Sequence, residues 1–184
     1  MNLLDDSLSV DLQSTAGVPD LAMRRRFEWL ADYALSTGAH GLVFTCSAFG
    51  SCIDAVIEKH PGKVILKPNQ ALLKAAVLQA QPIGLLASFG PTLTSMVAEF
   101  PPSVTLHTAL AHGAMQALEA GDLITHDLAV VQAAQNLAAQ GCQCIALAQI
   151  SLARAAPAVR QATGLPVLTT LDSTVHLLRQ SLSA

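Results

Sequence analysis

The chain alternates between short apolar runs and longer stretches in which apolar residues recur every three or four positions. The runs are Gly41–Thr45, Lys63–Lys67, Pro82–Ser88, Val104–Leu110, Cys144–Ala148 and Val167–Thr170. They are rich in Val, Ile and Leu and bounded by Gly, Pro or charge, which predicts strands. Helical periodicity between them predicts helices over about 21–36, 51–59, 69–79, 92–100, 125–140, 153–163 and 172–181. Asp20, Asn69 and Asp172 stand where N-caps are needed, and Gly141 where a helix must end. His60-Pro61-Gly62 and Pro101-Pro102 stop the helices before them, because proline cannot continue one. Residues 2–12 read as a short extended segment with a turn near Asp5-Asp6-Ser7, and 112–121 as a loop or short helix.

Strands of this length alternating with helices imply α/β architecture, with parallel sheets built from βαβ units. In such sheets ligands bind at the carboxyl ends of the strands. Two stretches echo each other there. Gly38–Phe49 (GAHGLVFTCSAF) and Gly141–Leu152 (GCQCIALAQISL) share a glycine, an apolar strand, then a polar residue and small residues. The second has Gln149 where the first has Cys46. Two unrelated βα units would give the same echo, so it stands open as a repeat.

Cys46 is the strongest chemical candidate. A thiol at a strand-to-helix junction is expected to be partly exposed under the positive end of a helix, which favours the thiolate. The competing reading is a buried structural cysteine, a common fate of free thiols. Cys52, Cys142 and Cys144 fit that second reading, on a helix face and at the start of a buried strand.

Composition narrows the picture. Of 184 residues, 52% are hydrophobic and only 12% charged, which suits sheets covered on both faces and an apolar subunit interface. Net charge is −3 and aromatics are 4%, with no basic stripe, so nucleic acid is not an expected partner. Arg24-Arg25-Arg26 read as a solvated helix face with one local pair. No apolar run reaches the roughly eighteen residues that a membrane span requires. The N-terminus lacks the basic and apolar segments of a signal peptide, so a reduced cytoplasmic setting is expected for the four cysteines. No metal is expected: Cys142-Gln-Cys144 has the wrong spacing for zinc. The six histidines form no paired spacing and read as surface or core-edge residues.

In order along the chain, Gly38-x-x-Gly41-Leu-Val-Phe-Thr-Cys46-Ser, Ile83-Gly-Leu-Leu-Ala-Ser-Phe-Gly-Pro-Thr92, Gly141-x-x-Cys-Ile-Ala-Leu-Ala-Gln149-Ile-Ser151 and Leu165-Pro-Val-Leu-Thr-Thr170 carry a resemblance. Together they resemble the aspartate/glutamate/hydantoin racemase superfamily, which includes arylmalonate decarboxylase and maleate isomerase. The first segment is the most specific. The resemblance implies two pseudo-symmetric α/β lobes with the active site in the cleft between them, 1–81 and 82–171, and a last helix, 172–184, returning to the first lobe. It implies a homodimer or larger homo-oligomer. It also implies cofactor-independent chemistry on a small carboxylic acid, in the manner of amino-acid racemases. One thiolate removes the proton beside a carboxylate, and a second thiol delivers one to the opposite face. Turn N–H groups and hydroxyls stabilise the enediolate that forms between these steps.

Carried over by position, Cys46 is the first-lobe acid/base, and Thr45, Ser47, Ala48, Ser88, Thr92, Gln149, Ile150 and Ser151 surround the substrate. The N–H groups of Ser47 and Ala48 and the Thr92 hydroxyl would hold its carboxylate. Thr92 also reads as an N-cap. Phe49, Phe89 and Ile150 would form an apolar side. Two departures qualify this. Gln149 replaces the second thiol, and an amide is no acid or base. That turns the expectation from symmetric racemisation toward decarboxylation, one-base isomerisation or lost catalysis. The strand and helix that usually open the first lobe are also missing. Either the start of the chain lies further upstream, or the lobe is truncated and a swapped partner or altered dimer covers the gap. The alternatives are a non-catalytic small-carboxylate-binding protein and a structural subunit.

Overall fold

The computed structural model describes residues 1–183. Its helices are α1 (Leu8–Ser14), α2 (Leu21–Ser36), α3 (Gly50–Lys59), α4 (Pro68–Ala76), α5 (Gly90–Glu99), α6 (Ala114–Glu119), α7 (Leu123–Ala139), α8 (Ala156–Thr163) and α9 (Thr170–Leu182). Its strands are β1 (Gly41–Val43), β2 (Val64–Leu66), β3 (Ile83–Ala87), β4 (Leu106–Leu110), β5 (Cys144–Leu147) and β6 (Val167–Thr169). All pairings are parallel. β1 and β2 form one small sheet, in register from Gly41 opposite Val64 to Val43 opposite Leu66. The other four strands form a second sheet in the order β4-β3-β5-β6.

The central strands of the larger sheet are buried on both faces, as the continuous apolar runs predict. Strand alternation then divides their side chains between two cores. Leu86, Ile145 and Leu147 join Val130, Ala134 and Leu137 of α7 and Val159 of α8. Ile83, Leu85, Ala87, Ala146 and Ala148 join Leu72 and Ala76 of α4 and Met96 of α5. Gly84 permits close approach on the first of these faces. A Cβ there would lie 3.0 Å from both Ile145 Cδ1 and Leu137 Cδ1. A third core joins Leu12, Met23, Phe27 and Ala31 to Phe49, Ile53, Val56 and Ile65, with Phe89 reaching in from the β3–α5 turn. The last helix, α9, lies along α4 and beside β2.

The predicted elements recur with shifts at the ends and four corrections. The segment 2–12 is not simply extended. From Leu8 it is helix α1, because Leu8 and Leu12, one turn apart, both find a place in the third core. Asn69 is not a cap: α4 begins one residue earlier, at Pro68, whose fixed φ suits the first turn. Asp172 is not the N-cap of the last helix. Thr169 is, accepting from the Asp172 N–H at 2.9 Å while its own hydroxyl donates to the Asp172 carboxylate. The predicted 153–163 helix begins as a 3-10 turn, Ile150–Ala155, before α8. Asp20 caps α2 as predicted, accepting from the Met23 N–H at 2.8 Å. Of the arginine run, Arg24 pairs with Glu28, and Arg26 ties the N-terminal segment to α2 through Asp5 and Asp11.

Candidate active site

The echo between the two halves is structural. Gly38 ends α2 at φ +90° and Gly141 ends α7 at φ +89°, left-handed conformations that glycine adopts freely. Each is followed by a strand, then a short link (44–46 and 148–149) whose last residue is extended, then a 3-10 turn, then a helix. Cys46 (φ −115°, ψ 122°) and Gln149 (φ −134°, ψ 145°) are those extended residues. The thiol and the amide therefore occupy equivalent places at the carboxyl ends of β1 and β5. The preceding helices match as well. Asp122 caps α7, accepting from the Thr125 N–H at 3.0 Å, as Asp20 caps α2.

Cys46 is half-buried and rests against the third core, near whose edge Leu42, Phe44 and Met115 also lie. Two influences act on its thiol in opposite senses. Burial pushes its pKa up, and the backbone N–H of Ala48, directed at the sulfur, pulls it down. Burial is the larger, so the expected preference for the thiolate is reversed in the ligand-free protein. Ala48 is buried, and its N–H serves the sulfur rather than standing free for a carboxylate. Thr45 is exposed beside it. Ser47 opens the 3-10 turn Ser47–Phe49, and its side chain lies outside the described part of the structure. The turn packs against α5. Phe49 and Phe89, predicted to line a pocket, are 2% and 7% exposed and belong to the core that supports the turn.

In the other half, Gln149 is held by Ser88. The Ser88 N–H donates to Gln149 Oε1 at 2.6 Å and its hydroxyl to the same oxygen at 3.1 Å. Two predicted site residues from adjacent strand ends are thus in direct contact, and the amide carbonyl is already occupied. Ile150 and Ser151 follow at intermediate exposure in the 3-10 turn. Thr92 is not an N-cap. It lies in the first turn of α5, its N–H bonded to the Phe89 carbonyl, wholly buried and with no partner for its hydroxyl among the described residues. Two cavities of about 350 Å3 are lined by residues outside this group. One lies against Gly17, Gly90 and Pro91, the other between α4 and α5.

Residue periodicity missed a polar cluster beneath the Gln149 turn, with His126 as its buried member. Contrary to its reading as a surface or core-edge residue, His126 is wholly buried. Its Nδ1 lies 2.7 Å from Asp127 Oδ1, and its Nε2 has no partner among the described residues. Arg154, on the 3-10 turn after Gln149, donates to the same carboxylate through Nε at 2.9 Å and through its terminal nitrogen at 3.1 Å. That guanidinium, foremost, holds the Asp127 carboxyl below its ordinary pKa. The Asp127–Arg154 fork fastens the turn to α7. Among the described residues no three His, Cys, Asp or Glu side chains gather as metal ligands, and no helix is long and apolar enough to cross a membrane.

No family model and no curated protein matches the chain by sequence. Solved structures do match. A glutamate racemase from Bacillus anthracis superposes with a TM-score of 0.71 at 14% identity, over 91% of this chain and 67% of that one. A glutamate racemase from Thermus thermophilus, bound to β-chloro-D-alanine, gives 0.71 at 18% identity over 91% and 65%. The fold is that of these glutamate racemases. Arylmalonate decarboxylase shares it too, with a TM-score of 0.54 at 18% identity over 80% of this chain and 72% of the other. This chain spans about two thirds of the length of the glutamate racemases it matches. Within the racemase fold, the carboxyl ends of β1 and β5 are where its two halves present their echoed turns, and Cys46 and Gln149 are the residues placed there.

Proposed function

We propose that this protein is a cofactor-independent isomerase, racemase or decarboxylase that acts on a small carboxylic acid, with Cys46 as its acid/base. The observation that carries the reading is the Cys46 turn. A half-buried thiol ends a parallel strand, receives the Ala48 N–H, and sits in a racemase-type fold. Because burial keeps that thiol protonated, the resting protein holds a proton ready to give. This favours protonation of an enediolate formed by decarboxylation, or a one-base isomerisation, over a symmetric two-thiol exchange. Gln149 supports the same preference, since its carbonyl is engaged by Ser88 and its remaining N–H groups can only donate. The substrate carboxylate would lie among Thr45, Ser47, Ser88, Ile150 and Ser151.

The test is proton exchange in D2O, followed by NMR, across a panel of amino acids, hydantoins and arylmalonates. Deuterium enters the carbon beside the carboxylate of at least one class, and Cys46→Ser abolishes that entry. No exchange from any class, together with thermal stabilisation by dicarboxylates, would replace this reading with a non-catalytic carboxylate-binding one. The occupied Gln149 carbonyl is the observation that favours that second reading.

A further inference from the structure

We propose that Gln149, locked in one orientation by Ser88, sets which acid the site accepts. It takes a substrate whose second group, on the reacting carbon, ends in oxygen acceptors, and it turns away one that carries an ammonium there. A second carboxylate fits; an α-amino acid does not. The inference rests on the reading above in one respect, that the two matched turns hold a small carboxylic acid.

Chemistry fixes the orientation of the amide. A backbone N–H can only donate, so the atom 2.6 Å from the Ser88 nitrogen is Gln149 Oε1 and not Nε2. The Ser88 hydroxyl donates to the same oxygen at 3.1 Å, which engages both of its lone pairs. Turning the amide over would set N–H against N–H. The free end is therefore Nε2, with two hydrogens to donate. That nitrogen has no partner among the described residues, and Gln149 is only half-buried, so it stays within reach of a ligand. The turn between β3 and α5 also joins the two sides of the site. Ser88 holds Gln149, while its neighbour Phe89 enters the core against which Cys46 rests. The 3-10 turn after Cys46 packs on α5 itself.

Charge decides what meets those hydrogens. Segments 44–49, 88–92 and 148–153, which carry Cys46, Ser88 and Gln149, contain no Asp or Glu. Asp172, past the end of β6, accepts the Thr169 hydroxyl at 2.8 Å, and Asp127 is forked by Arg154. An ammonium between these turns would lose its water, meet no free carboxylate and face the positive hydrogens of Nε2. A carboxylate there gains charge-assisted hydrogen bonds instead.

Two series of acids that differ in a single group test this: methylmalonate, propionate and alanine, and phenylmalonate, phenylacetate and phenylglycine. Each is titrated at neutral pH into the full chain carrying Cys46→Ser, so that no turnover consumes it. Affinity is read from backbone amide NMR shifts at 45–48, 88–92 and 149–152, which separates this site from any other. In at least one series the diacid binds about tenfold or more tightly than the monoacid, as one added charge-assisted bond implies. The amino acid binds more weakly than the monoacid. Gln149→Glu keeps an oxygen for Ser88 and sets a second oxygen in place of the nitrogen, so it reverses the order of diacid and amino acid. Gln149→Met removes the donor without adding charge and brings the diacid level with the monoacid. The thermal midpoint of each variant checks that it is folded. Equal binding across both series, an amino acid that binds best, or a preference unmoved in the folded variants would overturn this inference and leave the carboxylate site standing. No saturable binding in either series would overturn the reading above, and this one with it.

Discussion

A thiol in this position is caught between two surroundings. The apolar core behind Cys46 disfavours charge on its sulfur, while the Ala48 N–H in front favours it. Burial wins, so the proton stays on to higher pH than in a free cysteine. The rate of alkylation of the native protein by iodoacetamide should therefore keep climbing with pH beyond the point where a free cysteine levels off. Cys46 should also label ahead of Cys52, Cys142 and Cys144, which are buried; for Cys52 and Cys144 burial pushes the pKa up to about 11. A plateau near neutral pH would mean that the turn N–H outweighs burial. At this scale the sequence located both polar turn residues, because a strand that ends on a polar residue before small ones is visible as a pattern. It could not show that Gln149 meets Ser88, sixty-one positions away, nor that Thr92 and His126 are sealed from solvent. Those facts depend on which face of a helix is covered, and a polar residue with polar neighbours along the chain does not announce its face.

The starts of the helices that precede the two echoed strands are set by local chemistry. Asp20 and Asp122 each accept an N–H three residues on, at the first turns of the two helices that precede the echoed strands. Replacing either by alanine should cost about 1 kcal/mol, read as a lower urea midpoint with an unchanged slope. Helix and strand cores were legible because their periods differ, 3.6 against 2. The missed ends have physical causes. Pro68 fits a first turn better than the asparagine after it suits a cap. Thr169 leaves β6 already extended, so the cap falls on it and Asp172 becomes its partner three residues later. Helix α1 was missed because two leucines are too few to establish a period without the core they enter.

At the scale of the whole molecule, the two sheets are joined through helices that serve both. Leu72 and Ala76 of α4 enter the core under the four-stranded sheet, and α9 lies along α4 beside β2. The parallel sense of the strands follows from the alternation of elements. The division of six strands into sheets of two and four does not, because strand order is decided by which helices cover which faces. Apolar side chains remain outside these cores. Trp29 and Tyr33, one turn apart on α2, are 67% and 56% exposed.

The pairing of Cys46 with Gln149 on matched turns has a consequence for the products. Two halves that repeat one another would offer a bound molecule two related approaches, and of the two matched side chains only the Cys46 thiol can act as an acid/base. Any carbon that takes its hydrogen from Cys46 takes it from a single side, and the product should be optically pure. Polarimetry or chiral chromatography on a prochiral malonate would read this directly. Gln149→Cys, which sets a thiol on the second turn, should erode that purity toward a mixture of mirror images.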